Sequence, residues 1–381
     1  MTEAPRPAEA SAPADYRTAV PASGSPCAQD SALPPDLAPD LREKLTALAS
    51  ALRQASRLCA DGEARFALAY SGGLDSRFLA HAACLLGFRP LLLHVTGPHV
   101  PPEETSYAHT WAARRGLGFV DVPVDPLALP LVAAGDRRRC YACKRELLGR
   151  LLEALEERTL HFHSAPARTS GGAQVIPAHT LGSPHAFPET PPHAPILTQN
   201  GSHVAAPLEA LHLCDGTNAS DLTAYRPGTQ AVRELGVLSP LAQSGLSKDD
   251  IRRIGAATGL EDPEQKARPC LLTRLPYGTQ PLREILEALA LAEQSVRYAL
   301  SSLGLPGVDF RLRLPEPERA ELHLLHTDAA SLSPEAISAL LRAAGEAAPG
   351  LPPPVLVPQD SLSGYYDRIQ NTGQDQANPI S

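Results

Sequence analysis

Residues 64–86 read Ala-Arg-Phe-Ala-Leu-Ala-Tyr-Ser-Gly-Gly-Leu-Asp-Ser-Arg-Phe-Leu-Ala-His-Ala-Ala-Cys-Leu-Leu. The apolar run 64–69 predicts a buried strand, Ser71–Ser76 a glycine turn, and the segment from Phe78 to Leu86 a helix. A strand, a glycine turn and a helix start bring hydroxyls and backbone N–H groups to one point. Such a junction suits a polyphosphate, because helix N-terminal amides attract negative charge and Gly72 and Gly73 permit close approach. The spacing differs from Gly-x-x-x-x-Gly-Lys-Ser/Thr, which disfavours the phosphate loop of kinases and GTPases. The bland reading is a glycine turn that starts an ordinary helix.

Outward from this stretch, strands are predicted at 64–70, 90–95, 118–124 and 211–214, with helices at 75–86, 103–115 and 142–157. That alternation predicts an α/β fold: a parallel sheet with helices on both faces, whose ligands bind at the carboxyl ends of the strands. Leu41, Leu45, Leu48 and Leu52 mark a preceding amphipathic helix, and Ser247-Lys-Asp-Asp250 reads as a capping box. Beyond Pro281, a helix (282–303), strands (308–314 and 320–325) and a helix (334–344) predict a small C-terminal α/β domain. The expected division is a disordered tail at 1–39, a nucleotide-binding domain at 40–280, a C-terminal domain at 281–366 and a tail at 367–381. Residues 159–210, rich in Pro, His, Ala and Thr, are expected to form a disordered insertion. Its irregularly spaced histidines favour a solvated loop over a metal site.

The chain has 381 residues, a net charge of −8 and four lysines, so it has no overall attraction for nucleic acid. No apolar run is long enough for a membrane span, and the N-terminus lacks a signal pattern, so a cytoplasmic location is expected. Seven scattered cysteines favour thiol, metal or catalytic use over a disulfide framework.

Cys140 and Cys143 lie in Arg137-Arg-Arg-Cys-Tyr-Ala-Cys-Lys144, where two intervening residues let both thiols reach one metal or pair as a redox couple. The flanking cations are expected to lower the thiol pKa. Cys270 stands in the polar, irregular stretch Lys266–Tyr277. Cys59, Cys84 and Cys214 sit in apolar surroundings and read as core, and Cys27 in the tail has no assigned role.

Ser-Gly-Gly-x-Asp-Ser at 71–76 resembles the signature of the PP-loop ATP pyrophosphatases. With Cys140-Tyr-Ala-Cys-Lys144, Asp215-Gly-Thr-Asn218, Tyr225-Arg-Pro-Gly228, Ser239-Pro-Leu241 and Cys270-Leu-Leu-Thr-Arg-Leu-Pro-Tyr-Gly278, the order is similar to that of the sacrificial sulfur transferase family LarE. The likeness runs from about Leu41 to Tyr365, without 159–210. It implies an ATP-dependent enzyme that adenylates a carboxylate of pyridinium-3,5-biscarboxylic acid mononucleotide and converts it to a thiocarboxylate in nickel-pincer cofactor biosynthesis. It further implies that Ser71, Gly72, Gly73, Asp75 and Ser76 hold pyrophosphate with Mg²⁺, and that Asp215 and Asn218 border the nucleotide. Asp75 reads equally as a metal aid or a helix cap, and Asp215–Asn218 also as an Asx turn. Cys270 is the implied sulfur-handling residue. Members carrying the Cys-x-x-Cys pair as well imply that Cys140, Cys143 and Cys270 hold a 4Fe-4S cluster. The expected partners are the pyridinium mononucleotide and further copies of the chain as a homo-oligomer.

Arg311 and Arg313 alternate on a strand-like run and are expected to bind a substrate phosphate, with solvated strand arginines as the alternative. Arg77 replaces a serine common in the family, and its cation either meets the phosphates or faces solvent. Thr273 keeps the hydroxyl of the usual serine. Two other readings stay open: a PP-loop tRNA thiolase, which needs a basic face, and a zinc module with a degenerate ATP site. In the latter, His94 or His81 would complete the three thiols.

Overall fold

The computed structural model describes residues 18–19, 34–35, 37–58, 64–164, 211–223 and 227–369, with backbone alone at 18, 19, 58, 64, 158–164 and 227. Cys27, Cys59, most of the expected tail 1–39, the expected insertion from 165 to 210 and the chain beyond 369 lie outside these residues.

The strands of the first sheet are β1 (Thr18–Ala19), β2 (Arg57–Leu58), β3 (Ala64–Ala69), β4 (Arg89–Thr96), β5 (Phe119–Pro123) and β6 (Leu213–Cys214). β5, β4, β3 and β6 lie side by side in that order and are parallel, while β1 and β2 pair antiparallel with β5 and β3. Phe66 and Leu68 enter the apolar cluster on one face and Ala67 the cluster on the other. Burial on both faces is why β3 reads as a continuous apolar run rather than an alternating one. The chain steps from β3 to β4 to β5, then returns to place β6 on the other flank of β3. That reversal opens a crevice at the carboxyl ends of β3 and β6.

One face carries the helices Pro39–Ala55, Leu74–Leu85, Pro102–Arg114 and Lys248–Ala257. Leu41, Leu45, Leu48 and Leu52 are all buried there. Lys248–Ala257 starts with the expected capping box, Ser247 and Asp250 bonding reciprocally. The other face carries the helix Arg139–Ser164, which buries Leu148, Leu151 and Leu155. This helix outruns its predicted span of 142–157 at both ends, so Cys140 lies in its first turn instead of preceding it. Among the described residues, no helix is long and apolar enough to cross a membrane.

A second sheet contains β7 (Phe310–Glu316), β8 (Arg319–Leu325) and β9 (Pro354–Gln359), with β7 antiparallel and β9 parallel to β8. No strand is expected at β9 from its residues, because prolines at 352–354 and 358 mask it; as an edge strand it tolerates them. Helices Arg283–Ser302 and Pro334–Ala347 pack on this sheet. Their apolar cluster reaches back across residue 281 to Val132, Cys143, Leu271, Leu272 and Leu275.

Arg77 neither meets the glycine loop nor faces solvent. It is fully buried and donates to Glu261 O at 2.6 Å, Asp262 O at 3.1 Å and Gln265 Oε1 at 2.8 Å. Its cation fastens the helix Leu74–Leu85 to the 261–265 turn. Arg77→Ser is therefore expected to lower stability by about 3 kcal/mol through loss of charged hydrogen bonds in the interior. Urea unfolding measures this, and a loss below about 1 kcal/mol would refute the bracing role.

Candidate active site

β3 ends at Ala69, and the chain turns sharply through Ser71, Gly72 and Gly73 into the helix Leu74–Leu85. Gly72 has φ 76°, where an L side chain is strained, and a Cβ there would come within 3.2 Å of Ala108 Cβ. Ser71 Oγ accepts from Gly73 N at 3.3 Å and lies 3.3 Å from Ser76 Oγ. The N-cap Gly73 offers no side chain, so the first N–H groups of this helix have no side-chain cap. Asp75 does not cap either. Its carboxylate accepts from Lys248 Nζ at 2.7 and 2.6 Å.

Across the crevice, the loop after β6 carries Asp215, Gly216, Thr217 and Asn218. Gly216 is required by proximity: a Cβ there would lie 3.0 Å from Ser76 N. The Asx turn forms, with Thr217 N donating to Asp215 Oδ1 at 3.1 Å. Asp215 also accepts from Thr217 Oγ1 at 2.6 Å, Ser239 Oγ at 2.7 Å and Lys144 Nζ at 3.4 Å. It is thus the meeting point of three motifs that are distant in sequence. Asn218 is turned to structural work: it is buried and caps the short helix Ala219–Leu222 in a capping box with Asp221.

Both loops open into one cavity of about 660 Å³. Its walls include Ser71, Asp75, Ser76, Lys144, Asp215 and Gly216, and also Cys140, Cys143 and Cys270. Helical spacing explains part of this set, since Cys140, Cys143 and Lys144 stand at i, i+3 and i+4 on one face of Arg139–Ser164. Cys270 arrives from a different segment, just before a short helical turn at Leu271–Arg274. The structure therefore joins the glycine loop and the three thiols in one space. Of the Tyr225–Gly228 motif, Tyr225 and Arg226 lie outside the described residues, and Gly228 lines the cavity.

The expectation of low-pKa thiols does not hold. Burial raises Cys140 above the ordinary thiol value despite the Arg139 guanidinium. Burial likewise raises Cys143, helped by Cys270 and Cys140, and it raises Cys270, helped by Cys140. Each charge added to the group makes the next one costlier. No disulfide joins them; Cys214 is fully buried and Cys84 half-buried, as core residues.

Among the described residues, no group of three His, Cys, Asp or Glu side chains is arranged to hold a single metal ion. His81 is occupied by Thr258 and Arg115, and His94 by Tyr70 O and Thr105, so neither histidine joins the thiols. His99, which had no part in the sequence reading, lines the cavity with its Nδ1 buried and unpartnered. Burial lowers its pKa to about 4, which leaves the ring neutral at neutral pH.

Arg311 and Arg313 are not brought to this cavity. Both are buried in the second sheet. Arg311 donates to Asp309, Phe310 O and Ala267 O, and Arg313 to His323 at 2.7 Å and Leu362 O at 2.6 Å. The expected tail also begins later than 367. Residues 365–369 are helical, and Asp367 accepts from Tyr277 Oη at 2.7 Å and enters the cavity wall. Glu104 and Arg268 also line it; neither belongs to a motif, and each reaches the site only through folding.

No protein-family model matches the chain. Over 234 residues, 61% of its length, it is 30% identical to the uncharacterized protein slr1717 of Synechocystis sp., covering 69% of that protein. Over 108 residues, 28% of its length, it is 32% identical to the pyridinium-3,5-bisthiocarboxylic acid mononucleotide synthase of Lactiplantibacillus plantarum. Over 83 residues, 22% of its length, it is 34% identical to the uncharacterized protein MJ0830 of Methanocaldococcus jannaschii. The chain spans only 38% and 32% of the last two proteins.

Proposed function

The chain belongs to the family of the Synechocystis protein slr1717, and from that premise and the site geometry we propose an ATP-dependent sulfur transferase. Its substrate is pyridinium-3,5-biscarboxylic acid mononucleotide, one carboxylate of which is adenylated and converted to a thiocarboxylate for nickel-pincer cofactor synthesis. The L. plantarum relative, a pyridinium-3,5-bisthiocarboxylic acid mononucleotide synthase, supports the substrate class. The observation that carries the reading is the single cavity shared by the glycine loop and the three thiols.

A carboxylate is a poor electrophile, and adenylation supplies the missing leaving group. A carboxylate oxygen attacks the α-phosphorus of ATP, the bond to the β-phosphate oxygen breaks, and its electron pair leaves on pyrophosphate. Ser71, Ser76 and the uncapped N–H groups of the helix Leu74–Leu85 meet that charge. Asp75 is the residue that would hold Mg²⁺, and that ion would supply further offset of the charge. Asp215, fixed by Ser239 and Thr217, aims Lys144 across the crevice from the glycine loop.

Cys140, Cys143 and Cys270 are the residues that would hold a 4Fe-4S cluster. What supports this reading is that three thiols line one cavity and that their charges act on one another. When bound, such a cluster keeps one iron free of protein and able to carry a transferable sulfide.

Incubation with ATP, the mononucleotide and sulfide is expected to yield AMP and pyrophosphate in equal amounts, pyrophosphate leaving on adenylation and AMP leaving when sulfur bonds to the acyl carbon. Ser76→Ala is expected to slow this about 100-fold, the loss typical of one preorganised hydroxyl donor to developing charge. Formation of ADP and phosphate would refute the adenylation reading.

A further inference from the structure

The loop between β4 and the helix Pro102–Arg114 brings His99 into the wall of the cavity, on the side of the thiols. Val100 N donates to Gly97 O at 3.0 Å, which closes a turn at the end of β4. His99 O accepts from Leu271 N at 3.0 Å, so this turn is tied to the residue after Cys270. The ring is seated against the turn itself. A Cβ at Gly97 would lie 2.1 Å from Val124 O and 3.2 Å from His99 Nδ1, so glycine is needed there.

His99 is 3% exposed, yet neither ring nitrogen has a hydrogen-bond partner among the described residues. Nδ1 is shut in, and Nε2 is the nitrogen left open to the cavity. Burial keeps the ring neutral, so it carries one N–H and one lone pair. An orphaned N–H is costlier to enclose than an orphaned lone pair, which places the proton on Nε2. The other strong donors near the thiols are spent. Arg139 donates to Leu275 O at 2.8 Å and Pro276 O at 3.1 Å, Arg274 is paired with Glu293, and Lys144 is turned to Asp215. A buried donor without an acceptor, in the wall of a reaction cavity, is matched by an acceptor that the ligand brings.

We propose that His99 donates from Nε2 to the acyl oxygen of the adenylated carboxylate and holds the negative charge that gathers there as sulfur attacks. The inference rests on the adenylation reading and gives its second step a catalytic residue. Hydrosulfide, the co-reactant, forms a bond to the acyl carbon, and the carbonyl π pair moves onto oxygen. That pair then returns, the bond from the acyl carbon to the phosphate oxygen breaks, and its electrons leave on AMP. The proton on sulfur passes to water, which leaves a thiocarboxylate. The acyl oxygen is fully anionic only between these two events, so a donor aimed at it favours the transition state over the bound adenylate. The neutrality of the ring also matters. An imidazolium would hand its proton to the arriving sulfur anion and quench it, whereas a neutral imidazole donates a hydrogen bond and keeps its proton.

Rapid-quench single turnovers of the full chain with ATP, the mononucleotide and sulfide separate the two steps. In His99→Ala, pyrophosphate release is expected to stay within about threefold of wild type, while AMP release and thiocarboxylate formation slow about 100-fold, the loss typical of one oxyanion donor. The acyl-adenylate should then accumulate, and hydroxylamine should trap it as the hydroxamate. His99→Gln keeps a donor and should recover about tenfold of the loss. His99→Phe fills the same space without a donor and should recover none. Equal slowing of pyrophosphate and AMP release in all three variants would overturn the proposal and make His99 a packing residue. Equal recovery by Gln and Phe would overturn it too. If wild type releases no pyrophosphate, the adenylation reading fails and the proposal falls with it. If wild type completes the reaction and His99→Ala matches it, the proposal alone fails.

Discussion

Cys270→Ala is expected to abolish thiocarboxylate formation while single-turnover pyrophosphate release, which leaves AMP bonded to the carboxylate, stays within about threefold of wild type. The separation follows from position: Cys270 lines the cavity but makes no hydrogen bond to Ser71, Ser76 or Asp215. With the cluster in place, each of Cys140→Ala, Cys143→Ala and Cys270→Ala should lower iron content in anaerobically reconstituted protein, because three thiolates leave no ligand in reserve. Wild-type protein supplied with sulfide should turn over repeatedly. A yield that stops at one equivalent per subunit, with dehydroalanine at position 270 by mass spectrometry, would refute the cluster reading and make Cys270 the sulfur donor. Retention of iron in all three variants would remove these cysteines as ligands.

Glu293→Ala is expected to cost about 3–5 kcal/mol, the effect of leaving a buried cation unpaired. Arg274 and Glu293 form two hydrogen bonds at 2.7 and 2.9 Å, and both side chains are at most 4% exposed. Glu293 also accepts from Leu312 N at 2.9 Å, and Arg274 donates to Pro269 O at 3.1 Å, directly before Cys270. The pair therefore fastens the thiol-bearing segment to the second sheet. Glu293→Gln keeps the shape and should cost less. Urea unfolding with the linear extrapolation measures both, and a loss under about 1 kcal/mol for the alanine variant would contradict the bracing role. Burial alone would raise the Glu293 pKa, but the Arg274 charge and its hydrogen bonds together hold it below the usual range. A depressed folded pKa means that this stabilisation is present above the unfolded value of about 4.3 and is lost as pH falls through the lower folded value. Glu293→Gln should flatten that acid limb.

The four parallel strands, the helices between them and the capping box at Ser247 were legible in the sequence. Their signals are local: apolar runs of strand length, helical spacing and a hydroxyl three residues before a carboxylate. The glycine loop was legible for the same reason, and Gly216 could be recognised only as part of a motif. Burial and partnership were not legible, because they depend on residues far apart in the chain. Arg77 carries the same charge in the sequence whether it meets phosphate, solvent or the carbonyls of residues 261 and 262; packing against that turn decided the matter. Arg311 and Arg313 alternate as expected on β7, yet Ala267, His323 and Leu362 claim their guanidinium groups. The cations around Cys140 were visible, but the desolvation that outweighs them arises only once the cavity closes. The sequence by itself determined the parallel α/β scaffold and the glycine turn between β3 and its helix, since adjacent residues specify both. Only the tertiary structure decided which charges face the ligand and which are held inside, because low-dielectric surroundings and hydrogen-bond partners come from distant segments.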